Sequence, residues 1–266
     1  MCAAALTCVA AKRPDCGCDG KPQLLYFWQK AVKGMRVEAD IYLLDIRDFF
    51  EDEERGGLIE AALSKLDEER REKARRIGRE KGMAESLGAG LLLQLAVRSA
   101  ESVQTAQFAG GALTRWTVRE LLNWLDDPIP LAYQYKENGK PYFKNYPYYF
   151  NLSHSGNYVA CALSEREVGM DLQIHRATDS ERLAGRYFSL AEVDALQRAG
   201  DRPAFFFRLW ARKEAYGKLT GKGIADALGK DLWSGGTEID GMLCWEEYDG
   251  LPGYSMAVCQ YGSLRQ

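Results

Sequence analysis

The sequence of 266 residues predicts an α+β fold. Helical stretches are segregated from short strand-like runs, and one order of elements recurs faintly in both halves of the chain. Ala39-Asp40-Ile41-Tyr42-Leu43-Leu44-Asp45 reads as a strand followed by helices and short strands, and Val168-Gly169-Met170-Asp171-Leu172 opens the same order again. The expected division is a leader at 1–35, an N-terminal half at 36–164 and a C-terminal half at 165–262.

Residues 1–35 lack periodicity and contain Pro14, Gly17, Gly20 and Pro22, so a flexible leader is expected, with Met35 as an alternative start. The strand Asp40–Ile46 is β-branched and aromatic. Leu58–Leu66 has helical spacing, Asp67–Lys81 is a charged helical stretch, and Leu87–Val97 a buried helix with Leu91, Leu92, Leu95 and Ala96 inward. Thr117 is a plausible N-cap with Glu120 at the capping-box position. Asn138-Gly139-Lys140-Pro141 is a turn between aromatic runs. Strands are expected at Phe150–Ser153, Tyr158–Leu163 and Val168–Ile174, helices at Ser189–Arg198 and Arg202–Leu219, and antiparallel strands in Gly241–Val258.

Composition narrows the function. With 46% hydrophobic and 27% charged residues the chain is an ordinary globular protein. A net charge of −3 argues against bulk nucleic-acid binding. No apolar run reaches the roughly 18 residues of a membrane helix. Of seven cysteines, Cys2, Cys8, Cys16 and Cys18 crowd the N-terminus, where Cys16-Gly17-Cys18 is too tight for a zinc knuckle. Free thiols and a reduced, cytoplasmic setting are expected, with Cys161, Cys244 and Cys259 as small core residues.

Three places carry chemistry. Trp210, Glu214 and Lys218 fall at i, i+4 and i+8 of one helix and share a face. Asp171 lies in a strand, with Gln173 two residues on and so on the same face. Asp171 and Glu214 are hard oxygen ligands of the kind Mg²⁺ takes beside phosphate oxygens and water, and Gln173 adds an amide oxygen or a hold on metal-bound water. Lys213, Lys218 and Lys222 would add positive charge near a pyrophosphate. The bland alternatives stand beside this reading: Glu214 and Lys218 as a surface ion pair, Asp171 as polar punctuation, His154 as a turn histidine. Arg70-Arg71-Glu72-Lys73-Ala74-Arg75-Arg76 reads first as a solvated helix face, its glutamates disfavouring nucleic acid. A P-loop fails because Gly223 follows Lys222, and no Gly-x-Ser-x-Gly elbow supports a serine hydrolase.

In this order, Arg70–Arg76, Gly139-Lys140-Pro141, Phe150-Asn151-Leu152-Ser153-His154-Ser155, Gly169-Met170-Asp171 and Trp210-x-x-Lys213-Glu214-x-x-x-Lys218-x-x-Gly221-x-Gly223 resemble the Sfp-type 4′-phosphopantetheinyl transferases. The resemblance runs from about residue 40 to 260. It implies two similar halves related by a pseudo-twofold, each a small antiparallel sheet packed with helices, with the active site in the cleft between them. It implies CoA as co-substrate, Mg²⁺ as cofactor, and a serine of an apo acyl or peptidyl carrier protein as acceptor. Asp171 and Glu214, with Gln173, would bind the metal, and Glu214 would also be the general base. Lys218 would contact the pyrophosphate, Ser153 and His154 the CoA phosphates, Lys140 and Pro141 the adenine pocket, and Arg70 with Lys73 the 3′-phosphate. Two positions depart from the family: Gln173 stands where many members have a third acid, and Glu85-Ser86 about where many have an arginine. The expected function is therefore transfer of 4′-phosphopantetheine to a carrier, with release of 3′,5′-ADP. A non-catalytic CoA- or carrier-binding module is the main rival, and another Mg²⁺-dependent nucleotidyl or phosphoryl transferase a weaker one. No membrane partner is implied, and two internal halves make a monomer sufficient.

Overall fold

The first sheet is built around β1 (Asp40–Asp45), whose four central residues are all buried. The computed structural model describes residues 37–102, 113–234, 243–248 and 250–262. The expected leader, its four cysteines and the Met35 start lie outside the described residues, as do Gly241 and Asp249 of the tail.

After β1 come α1 (Arg55–Ser64), α2 (Glu68–Arg75) and α3 (Glu80–Ser102). The expected charged helix 67–81 is not continuous. Asp67 caps α2 by accepting from the Arg70 amide, the chain leaves helical form around Gly78, and the expected Leu87–Val97 helix is the middle of the longer α3. β2 (Leu113–Thr117), which the sequence pattern did not suggest, pairs parallel with β1. Thr117 ends it and, with Glu120, forms the expected capping box of α4 (Val118–Trp124). β3 (Tyr133–Tyr135) and β4 (Pro141–Phe143) form a hairpin around Asn138-Gly139, and β5 (Tyr149–Ser155) and β6 (Tyr158–Ser164) complete the four-stranded order β2-β1-β6-β5. This sheet is mixed, not purely antiparallel as expected. One face carries a core of Leu44, Ile46, Leu91, Leu95, Cys161 and Leu163.

The second sheet has the order β7-β9-β8, from β7 (Gly169–Ile174), β8 (Leu243–Glu247) and β9 (Tyr254–Tyr261), all antiparallel. Between β7 and β8 come α5 (Ser180–Tyr187), α6 (Leu190–Arg198) and α7 (Arg202–Thr220). The short α5, capped by Asp179, was not expected; α6 and α7 are. In each half a strand is followed by helices and a second strand running the same way. The two sheets nevertheless differ in strand number and order, so the shared feature is the element sequence.

The sheets meet at a seam made by side chains. The Met170, Leu172 and Ile174 amides on the free edge of β7 donate to Asn151 Oδ1 (3.0 Å), Ser153 Oγ (3.1 Å) and Ser155 Oγ (2.9 Å) of β5. Alternate residues of one strand thus satisfy alternate amides of the other, as the two-residue period of both requires. Otherwise these edge amides would be buried without partners, each at a cost of about 1–3 kcal/mol.

α7 lies directly on β7, and Gly169 permits the approach: a Cβ there would stand 2.6 Å from the Leu219 amide nitrogen and closer still to the Ala215 carbonyl oxygen. Both obstacles are helix backbone and cannot rotate away. Gly169→Ala is therefore expected to cost about 2–3 kcal/mol, a fall in Tm of about 5–10 °C. A melt within a degree of wild type would contradict this packing. α7 ends where Gly221, at φ +70°, takes the left-handed turn that closes a helix.

Candidate active site at the seam of the two sheets

Asp171 is the centre of the site. It is buried in β7, and its Oδ1 accepts from the Ser153 hydroxyl (2.8 Å) and from Lys218 Nζ (2.7 Å). Its Oδ2 accepts from Gln173 Nε2 (2.7 Å). Gln173 reaches Asp171 because residues two apart on a strand share a face. Lys218 comes from the last turn of α7 and also donates to Ser153 Oγ (3.0 Å) and the Leu152 carbonyl (3.4 Å). Glu214 sits one turn earlier, half-buried on the same face. Burial, and then the Asp171 charge, push its carboxyl above the usual glutamate range, against the pull of Lys218. The surface-pair alternative is thus not what is seen: Lys218 pairs with Asp171 of the strand beneath its helix and reaches across the seam to Ser153 and Leu152.

This donor set fits a hard dication. Two carboxylates stand on facing elements; Asp171 pairs with the Lys218 ammonium, Glu214 feels it only through its charge, and the like charge on Asp171 is one of the causes that raise Glu214. One or two carboxylates are what Mg²⁺ ordinarily takes from a protein. No cluster of three or more His, Cys, Asp or Glu ligands is found among the described residues.

The neighbouring motif residues are placed differently from one another. Ser153 faces the seam, while His154, the next residue and so on the other face of β5, is exposed and lies 3.4 Å from Glu85 of α3 through Nδ1. An acid thus meets the imidazole about where the family resemblance implies an arginine. Lys140 is tied down: Nζ donates to Glu167 Oε2 (2.7 Å) and to the Val168 and Leu219 carbonyls (3.2 Å each), and Pro141 follows it as the first residue of β4. Arg70 is buried, its guanidinium 5.1 Å from the centre of the Tyr133 ring, and Tyr133 donates to Asp67. Lys73, one turn on, is exposed; burial of its stem, and then the Arg70 charge, lower its pKa. Trp210 packs among Tyr187, Phe188 and Phe206. Lys213 points away from the seam into the interior of the C-terminal half, and Lys222 is exposed. The structure therefore gathers Asp171, Gln173, Glu214, Lys218 and Ser153, and leaves His154, Lys140, Arg70 and Lys73 on separate contacts of their own. A cavity of ≈ 580 Å³ at Phe205, Arg208, Trp233 and Glu247 includes none of the gathered residues.

Sequence reasoning passed over Glu167, an acid in the turn just before β7 that binds both Lys140 and Lys136. Burial raises its pKa, but the two ammonium groups outweigh that and hold it below the ordinary glutamate range. A depressed carboxylate stabilises the fold above its unfolded pKa and loses that contribution as pH falls through its folded value. Wild type is expected to melt above Glu167→Gln at neutral pH, and the gap to close well below the ordinary glutamate pKa of about 4.3. A gap undiminished at about pH 3 would count against the pair.

Against known proteins, a profile of the 4′-phosphopantetheinyl transferase superfamily matches residues 167–239, from Glu167 through β7 and α7. The chain belongs to the 4′-phosphopantetheinyl transferase family. It is 40% identical to the 4′-phosphopantetheinyl transferase AcpT of Salmonella typhimurium over 53% of this chain and 72% of that one. It is 36% identical to the 4′-phosphopantetheinyl transferase psf-1 of Bacillus pumilus, over 48% of this chain and 60% of the relative. Against the 4′-phosphopantetheinyl transferase Sfp of Bacillus subtilis (strain 168) it is 33% identical, over 50% and 64%. The chain thus spans less than two thirds of the length of these last two relatives. Among the described residues no helix is long and apolar enough to cross a membrane, and Cys161, Cys244 and Cys259 are buried free thiols.

Proposed function

We propose that this protein transfers the 4′-phosphopantetheine group of CoA to a serine of an apo acyl or peptidyl carrier protein. The observation that carries the reading is the meeting of Asp171, Glu214 and Lys218 at the seam, in a chain of this family. The serine oxygen attacks the β-phosphorus of CoA, the phosphoanhydride bond breaks, and 3′,5′-ADP leaves. Glu214 takes the serine proton; burial and the Asp171 charge raise its pKa, which makes its carboxylate a stronger base than an ordinary glutamate. Asp171 and Glu214 would hold Mg²⁺, with Gln173 contributing its amide or a bound water. The metal supplies charge neutralisation at the pyrophosphate when bound. Lys218 grips the pyrophosphate. His154 and Ser153 serve the phosphates, Ser153 chiefly by holding Asp171. Arg70 and Lys73 serve the 3′-phosphate, and Lys140 with Pro141 the border of the adenine pocket. The working protein is a cytoplasmic monomer with no nucleic-acid or membrane partner, its halves dividing near residue 165.

Incubation with a panel of apo-carriers, labelled CoA and Mg²⁺ tests the reading. Label on a carrier serine with release of 3′,5′-ADP supports it. Tight CoA binding with no label on any carrier would instead favour a non-catalytic module, which the Glu85–His154 contact gives some footing.

A further inference from the structure

We propose that Lys218 and a divalent cation compete for Asp171, so that the cation enters with the anionic substrate and not before it. The identity of that substrate rests on the transferase reading; the competition rests on the hydrogen bonds alone.

An ammonium has three N–H donors, and Lys218 has three acceptors: Asp171 Oδ1, Ser153 Oγ and the Leu152 carbonyl. Asp171 is engaged at three of its roughly four lone-pair sites. Oδ1 also accepts from Ser153, and Oδ2 from Gln173. Ser153 is closed in its turn, since its one proton goes to Asp171 and its lone pairs face the Leu172 amide and Lys218. In the free protein the ammonium therefore holds Oδ1 of the carboxylate a cation would use, and Gln173 holds part of Oδ2. A dication added beside it meets a like charge a hydrogen bond's length from the oxygen it needs.

Gln173 sharpens the competition. Two carboxylates and one ammonium leave a single net negative charge at the seam, and the neutral amide adds none. An acid at that position would leave enough negative charge to hold a dication while the lysine stayed in place.

The release is built into the same residue. The Lys218 side chain is 29% exposed and rides on a flexible stem at the end of α7. A pyrophosphate at the seam offers it several anionic oxygens. As the lysine moves to them, Asp171 Oδ1 is freed and Glu214 stands one turn away as the second carboxylate. The polyanion thus removes one cation from Asp171 and opens its place to the other.

The test uses Mn²⁺ as the probe, with bound and free ion counted by electron paramagnetic resonance and no carrier present. Lys218→Gln is expected to bind Mn²⁺ at least about tenfold more tightly than wild type without nucleotide. Adding CoA should tighten Mn²⁺ on wild type by about tenfold beyond the ion's binding to CoA itself, and on Lys218→Gln by much less. Gln173→Glu, with the lysine intact, should gain affinity without CoA. Equal or weaker Mn²⁺ binding by Lys218→Gln, or wild-type binding indifferent to CoA, would overturn the competition. Thermal melts confirm that each variant is folded, and Lys218→Met replaces the glutamine variant if it is not. The two readings fail separately: absent carrier labelling with these shifts intact sinks the transferase, and labelling without the shifts sinks the competition.

Discussion

Glu214→Gln is expected to lower the initial rate of holo-carrier formation by about 10²–10⁴-fold, the usual contribution of a positioned general base, without loss of the fold. The reason lies in what the carboxylate does not do. Among the described residues it makes no hydrogen bond or ion pair of its own; it feels Asp171 and Lys218 only through their charges. Its raised pKa fixes the sign of the stability effect. An acid whose folded pKa lies above its unfolded value destabilises the fold when ionised, a cost absent below the unfolded pKa and complete above the folded one. Removing the charge should therefore leave Tm unchanged or slightly raised at neutral pH, and the difference should vanish in acid. Asp171→Asn is expected to remove most activity as well, but for mixed reasons. It breaks an ion pair and puts an amide nitrogen among three donors, at a cost of about 1–3 kcal/mol. An active Glu214→Gln, within tenfold of wild type, would mean that another group takes the serine proton.

That pair of residues was legible because each announces itself by position. Glu214 and Lys218 are a helical turn apart on a run that reads plainly as a helix, and Asp171 breaks an otherwise apolar strand. β1, β5, β6, β7, α6 and α7 were legible for the same reason: each has a clear period and a turn or cap at its ends. β2 was not, because it is short, largely exposed, and held by parallel pairing with a strand about seventy residues away. α5 was missed as a single polar pair of turns started by Asp179. The break between α2 and α3 was hidden because charged residues run through it. At the site, the misplaced expectations concern direction. Motif spacing does not say which face a side chain takes, and so Ser153 and His154, adjacent in sequence, serve different neighbours. Nor does it say that Lys140 and Lys218 are already saturated by Glu167 and Asp171. Glu167 comes to Lys140 from the other half of the chain, and Asp171 comes to Lys218 from a strand 47 residues earlier in the same half, so both pairs are assembled only by the fold.

The second large effect is expected from Lys213, next to Glu214 in the motif but about 100° around the helix. Its ammonium and the Glu192 carboxylate of α6 are both wholly buried, 2.8 Å apart. Burial pulls the lysine pKa down and Glu192 opposes the shift. The remaining bonds complete the pair: Lys213 Nζ donates to the Ala227 (3.1 Å) and Lys230 (2.8 Å) carbonyls, while Glu192 accepts from the Ser189 (2.9 Å) and Leu232 (3.0 Å) amides. Together they clamp the chain that follows α7 onto α6 and α7. Lys213→Met strands a buried carboxylate and should cost about 3–5 kcal/mol, a fall in Tm of about 10–15 °C. Adding Glu192→Leu removes the stranded charge, so the double variant should be less destabilised than the sum of the singles, with a coupling of about 2 kcal/mol or more. The backbone groups left without partners keep it from full recovery. Below its melting temperature Lys213→Met should retain a near-native KM for CoA, because the side chain lies inside the C-terminal half and not at the seam. A variant that melts like wild type yet needs tenfold more CoA would instead place Lys213 against the substrate, and the clamp would fall with that result.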